Sequence, residues 1–198
     1  MAKITQAIQP RTYEYIGLRI CEILLEELSN QVLLTYDEDI CTNIFHERIV
    51  APNEGEFPLI NVMMSSFEGD GNRVTNGFIN ITYFIDIYYV SFDSTGTNSD
   101  ELAITKMKRT AGMIEAILKN PAYRTLDYAP GVIGRTTITR MNVMDNTKQD
   151  SYNTAMGRIT FEVMAQDNYE LKEAIDFTKF TTTMMVGDTN NGQITELI

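Results

Sequence analysis

One long run of strict period-two hydrophobicity, residues 79–90, constrains this chain more than any other feature. Ile79, Ile81, Tyr83, Ile85, Ile87 and Tyr89 fall on one side of an extended backbone, and Asn80, Thr82 and Asp86 fall on the other with paler apolar residues. At roughly 3.3 Å per residue such a strand runs about 40 Å, more than a small sheet needs. Part of it is therefore expected to project from a core or to join a neighbour's sheet. Asp86, on the polar side, is expected to be solvated.

A strand this apolar on one face needs a cover, and two helical patterns are available for it. After Pro10 a helix can start at Thr12, with Tyr13, Ile16, Ile20, Leu24 and Leu28 on one face at steps of three and four. Leu18 and Leu25 form a second apolar line seven apart, so this helix is sticky on two sides. That makes Leu18 and Leu25 the first candidates for a subunit contact, with burial inside one domain as the alternative. A second helix is capped by Asn98 or Ser99, carries Asp100 and Glu101 in its positive first turn, and has capping-box spacing between Asn98 and Glu101. Its core stripe is Ile104, Met107, Ala111, Ile114 and Leu118, and Asn120 with Pro121 ends it.

The remaining segments read as shorter strands and links. Residues 44–50 lean to strand, and Pro58 admits a strand at 59–64. Further alternation marks 133–143 and 156–165, where Ile159, Phe161 and Val163 share a face. The Gly- and Asn-containing stretch 65–77 reads as a mobile projecting loop, and 144–155 as a polar, flexible link. The order helix, strand, strand, long strand, helix, strand, strand defines an α+β fold: a two-layer, antiparallel-dominated β-sheet packed by two main helices. This core is assigned to residues 1–166.

Residues 167–198 fall outside that plan and read as a C-terminal extension ending in a β-hairpin arm. Phe180, Thr182, Met184 and Val186 alternate, and Ile194 opens a returning strand. Two short strands alone are marginal in water, so Phe180, Met184, Val186 and Ile194 are expected to dock, either on their own domain or on a neighbour.

The charge narrows the function classes. With 16 Lys and Arg against 27 Asp and Glu, the net charge is −11, the opposite of the clustered positive charge that displaces counterions from nucleic acid. Cys21 and Cys41 are the only cysteines and His46 the only histidine. With so few of these residues, no conventional Ser-His-Asp or Cys-His machine, no Cys/His zinc site and no cofactor is expected. Both cysteines are expected to be reduced and structural. Asp37, Glu38 and Asp39 lack the alternate-ligand spacing of an EF-hand and read as a solvated turn or an acidic helix start. The opening Met-Ala-Lys-Ile-Thr-Gln lacks the apolar region of a signal peptide, and no run reaches the ~18 apolar residues of a membrane span. Synthesis in a cytosol is expected, with no membrane contact.

The elements in this order resemble a known family. The N-terminal helix, the strand entry Phe57-Pro58-Leu59-Ile60-Asn61-Val62, the long strand ending Ile87-Tyr88-Tyr89-Val90-Ser91, the helix closing on Ile114 to Leu118 and the strand Gly157-Arg158-Ile159-Thr160-Phe161-Glu162-Val163 are similar to tail terminator proteins of long-tailed bacteriophages. The resemblance covers roughly residues 11–166. It implies a structural virion protein, without enzymatic activity, that forms a homohexameric ring on the head-proximal end of the tail tube. Such a ring would meet the tube protein and the neck or stopper protein, with sheath contact possible, while DNA passes its lumen without specific binding. The resemblance further implies that the 65–77 loop reaches the tube, which makes Phe67, Asp70, Asn72 and Arg73 candidate contacts. The C-terminal extension departs from the compact family pattern; the long strand and the two-sided helix, which leave surfaces unfilled between neighbours, make an adjacent subunit or a neck partner the expected target of the arm, with its own domain as the alternative. The alternatives are another phage ring subunit (head-completion, stopper or tube protein) and, from a different class, a small-ligand protein or enzyme.

Overall fold

The computed structural model describes residues 10–49, 52, 54–69, 77–91, 99–149 and 152–166. They form two long helices on one face of a five-stranded sheet, an α+β fold. The elements are α1 (Thr12–Thr35), β1 (Ile44–His46), β2 (Leu59–Gly69), β3 (Phe78–Ser91), α2 (Ser99–Leu118), β4 (Ile133–Gln149) and β5 (Tyr152–Gln166). Two single 3-10 turns, Glu54–Glu56 and Pro121–Tyr123, interrupt the connections. The strand order is β1-β2-β3-β5-β4, parallel between β1 and β2 and antiparallel elsewhere.

α1 starts where Glu14 reaches back to accept from the Arg11 backbone N–H at 2.8 Å. It stops at Tyr36, whose left-handed φ of 55° lets its N–H close on the Val32 carbonyl at 2.9 Å. Asp37 and Asp39 then lie in the turn, as expected, and tie it to α2 through Arg109 at 2.9 Å and Lys106 at 2.7 Å. The Tyr89 hydroxyl adds a buried link, 2.6 Å from the Thr110 hydroxyl and 3.1 Å from the Asp39 carbonyl.

The core follows the periodicities. Ile79, Ile81, Tyr83, Ile85, Ile87 and Tyr89 are all buried on the helix-bearing face, as are Ile159, Phe161 and Val163 beside them. α2 lies over β3 and β5 and presents Met107, Ala111, Ile114 and Leu118, all buried, with Ile104 at the margin. Gly157 admits this packing: a Cβ there would lie 2.5 Å from the Met107 sulfur. The Tyr83 hydroxyl, deep in the core, donates to the Tyr13 carbonyl at 2.7 Å.

Four expectations are corrected. β3 neither projects nor offers a pairing edge, because β5 pairs with it from Phe78 to Ser91 and β2 flanks it on the other side. Strand β2 does not stop at Met64. A bulge between Met64 and Ser66 absorbs one residue, restores the alternation and turns Phe67 back to the helix-bearing face. Residues 144–149 and 152–155 are strand and not link: the ladder continues through Thr147↔Thr154, Lys148↔Asn153 and Gln149↔Tyr152. Polar residues there mimic a loop in sequence because backbone pairing, and not side-chain periodicity, carries the strand. Asp86 is not solvated and is 2 % exposed.

Candidate interaction surfaces

Of the candidate contacts, the described residues include Leu18, Leu25 and Phe67. Asp70, Asn72 and Arg73, and Phe180, Met184, Val186 and Ile194 of the arm, lie outside the described residues, as does the cap at Asn98. Leu18 and Leu25 stay on the outer side of α1 with 40 % and 43 % of their surface exposed. Leu33 and Leu34 extend the exposed apolar surface toward the end of the helix. Phe67 is half exposed, and its ring stacks on Tyr13 of α1 with centroids 5.1 Å apart and planes 8° apart. Its position is therefore accounted for within the chain.

α1 is braced from the side by the segment that follows α2. Leu126 is buried under it, and Arg19 donates to the Leu126 carbonyl at 3.4 Å and to the Asp127 carboxylate. The Tyr123 hydroxyl donates to Glu27. Leu126 and Asp127 both adopt left-handed backbone, with φ of 50° and 60°, which folds this segment back onto the helix. With that bracing and the sheet below, the Leu18 and Leu25 side of α1 is left to solvent.

The face of the sheet away from the helices holds a row that no local pattern announces. Asn61, Asp86, Arg158 and Asn142 stand opposite one another across β2, β3, β5 and β4. Arg158 grips Asp86 with two hydrogen bonds, Nε to Oδ1 at 2.6 Å and Nη2 to Oδ2 at 2.7 Å, and its guanidinium lies 4.3 Å over the Phe84 ring. The hydrogen bond to Asp86 holds the Arg158 pKa above its ordinary value. The Asn61 side chain is used up on the Arg48 backbone, accepting its N–H and donating to its carbonyl at 3.0 Å each.

The thiols are insulated. Burial pushes both Cys21 and Cys41 up to about 12, so neither forms a ready thiolate, and both are free. Among the described residues no group of three or more His, Cys, Asp or Glu stands together as a metal site, and no helix is long and apolar enough to cross a membrane.

His46 packs against α1 where Gly17 leaves room, since a Cβ on Gly17 would lie 2.5 Å from its Nε2. Burial lowers its pKa from 6.5, partly offset by Glu47. The neutral ring therefore contributes stability that is complete above the unfolded value of 6.5 and is lost as pH falls through that value toward the lower folded pKa. Denaturant melts across roughly pH 5 to 7 should show wild type weakening toward acid and His46→Gln showing a flatter profile. Equal slopes would mean that His46 titrates alike in both states.

No protein-family model matches the chain, and no curated protein matches it. The class the coordinates define is thus an α+β domain with a mixed five-stranded sheet, two covering helices and an exposed leucine line on the first helix.

Proposed function

We propose that this protein is a structural ring subunit of a bacteriophage tail, a terminator that caps the head-proximal end of the tail tube and joins it to the neck. The observation that carries the reading is α1, which packs one side on the sheet and leaves Leu18 and Leu25, spaced one heptad apart, in water. Such a line on an otherwise well-packed helix offers a surface that a partner can cover. An element order that resembles that of tail terminators suggests the kind of partner: copies of the same chain, then the tube and the neck protein. The net charge of −11 suits a ring whose lumen DNA must traverse without sticking.

Native mass spectrometry and negative-stain electron microscopy, with and without purified tail tubes, test the proposal. A terminator closes into single rings that seat on one end of a tube and block its growth. Long tubes formed from this chain alone would make it a tube protein instead. A persistent monomer that ignores tube ends, or tight DNA binding at physiological salt, would overturn the reading.

A further inference from the structure

The sheet has one long open edge. In the order β1-β2-β3-β5-β4 the outer strands are β1, only three residues long, and β4, Ile133–Gln149. β5 pairs with one side of β4, and among the described residues no strand pairs with the other. On such an edge every second residue turns its N–H and C=O outward, where another strand can take them. Bulges interrupt β4 at Ile138/Arg140 and Met144/Thr147, and between them Arg140 to Met144 keep an unbroken register with Thr160 to Met156. The same stretch has side chains without cover. Met141 and Val143 stand opposite Ile159 and Gly157 on the helix-bearing face, yet they are 40 % and 49 % exposed, because α2 lies over β3 and β5 and leaves little helix above β4. One added strand would satisfy the backbone and shield both residues.

The sequence supplies an alternating segment of the right kind beyond β5. In residues 180–186, Phe180, Thr182, Met184 and Val186 fall on one side of an extended backbone, and Thr181, Thr183 and Met185 on the other. Laid beside Arg140 to Met144, the first set continues the row of Met141 and Val143 on the same face. The lead to this segment, 167–179, also matches the border it would meet. It carries Asp167, Glu170, Glu173 and Asp176 against Lys172 and Lys179. On β4, Arg135 and Arg140 are exposed on the helix-free face, opposite Met164 and Thr160, and neither makes an ion pair among the described residues.

We propose that residues 180–186 of one copy add as a strand to the open β4 edge of the next copy, along Arg140 to Met144. The chain's own β4 is the poorer target. β5 delivers the arm at the start of β4, where the Gln166 N–H donates to the Val132 carbonyl at 2.8 Å. Antiparallel entry from the far end, opposite Met156, spends about 33 Å of a lead that spans at most about 46 Å, with the reversal of direction still to be made. Parallel entry avoids that run but gives the weaker ladder. A neighbouring copy imposes neither condition. An arm on a neighbour's edge is a head-to-tail contact, which closes into a ring or runs on as a filament. The inference rests on the ring-subunit reading above and specifies its interface.

Two experiments on the full-length chain test it. In Met184→Pro/Met185→Pro two adjacent residues lose their N–H groups, so one missing donor faces β4 in any register. At concentrations where wild type is assembled, native mass spectrometry should find this variant monomeric, with circular dichroism and melting temperature like those of wild type. The second experiment stands independently of the first. Chains with Val143→Cys, an exposed position, are mixed with chains carrying Phe180→Cys, Thr181→Cys and so on in turn to Val186→Cys, under mild oxidation. The native thiols of Cys21 and Cys41, pushed up to about 12 by burial, stay out of the reaction. The yield of mixed disulfide dimers should alternate with a period of two, high on the Met184 side and low on the Thr183 side. Full-size complexes from the proline variant, or mixed dimers that are absent or lack the alternation, would overturn the interface and leave the ring reading standing. A disulfide formed only within single chains carrying both Val143→Cys and Met184→Cys would overturn it too, by placing the arm on its own β4. A wild-type chain that never self-associates would remove both the interface and the ring.

Discussion

Replacing Ile114 by Asp should lower the stability of the domain by about 5 kcal/mol, a large part of what holds a domain of this size together. Ile114 is fully buried in the middle of the α2 stripe that lies on β3 and β5. The substitution removes an apolar side chain from the core and puts a carboxylate out of reach of water, where it must either stay charged without solvation or take up a proton. Ile114→Leu keeps volume and polarity and should cost less than about 1.5 kcal/mol. Thermal and urea melts of the two variants against wild type make the comparison. An Ile114→Asp melting temperature equal to wild type would mean that α2 does not pack on the sheet through this side.

Arg158→Met is expected to cost about 3 to 5 kcal/mol, although the position lies on the sheet face without helices. Methionine keeps aliphatic cover over Phe84 but withdraws both hydrogen bonds from Asp86, whose carboxylate is almost wholly enclosed. The loss comes from stranding that charge, and not from the strength of the pair as such. Removing both charges in Asp86→Leu/Arg158→Met should therefore restore most of the stability, and a double-mutant cycle measures the coupling. If the double variant is as unstable as the sum of the single ones, the pair is not what keeps this part of the sheet folded.

The elements whose side chains alternate between water and core were legible in the residues alone. β3 and α2 are the clearest cases, because the period of two and the stripe at three- and four-residue steps state which face is buried before any partner is known. The second apolar line at Leu18 and Leu25 was legible for the same reason: seven residues return a helix to nearly the same side, and one helix can bury only one side on its own sheet. The order of elements rests on those same local patterns.

Tertiary structure decided what depends on residues far apart in the chain. Residues 65–69 look like loop until β3 supplies their pairing and Tyr13, from another element, supplies a ring for Phe67 to stack on. Asp86 reads as solvated because the guanidinium that encloses it belongs to Arg158, brought alongside by the β3–β5 register. The polar row was invisible for the same reason: Asn61, Asp86, Arg158 and Asn142 form no pattern along the chain and line up only through the registers of β2, β3, β5 and β4. Periodicity is a property of one element and survives in the sequence, whereas pairing, enclosure and grooves are properties of two elements at once and exist only after they meet.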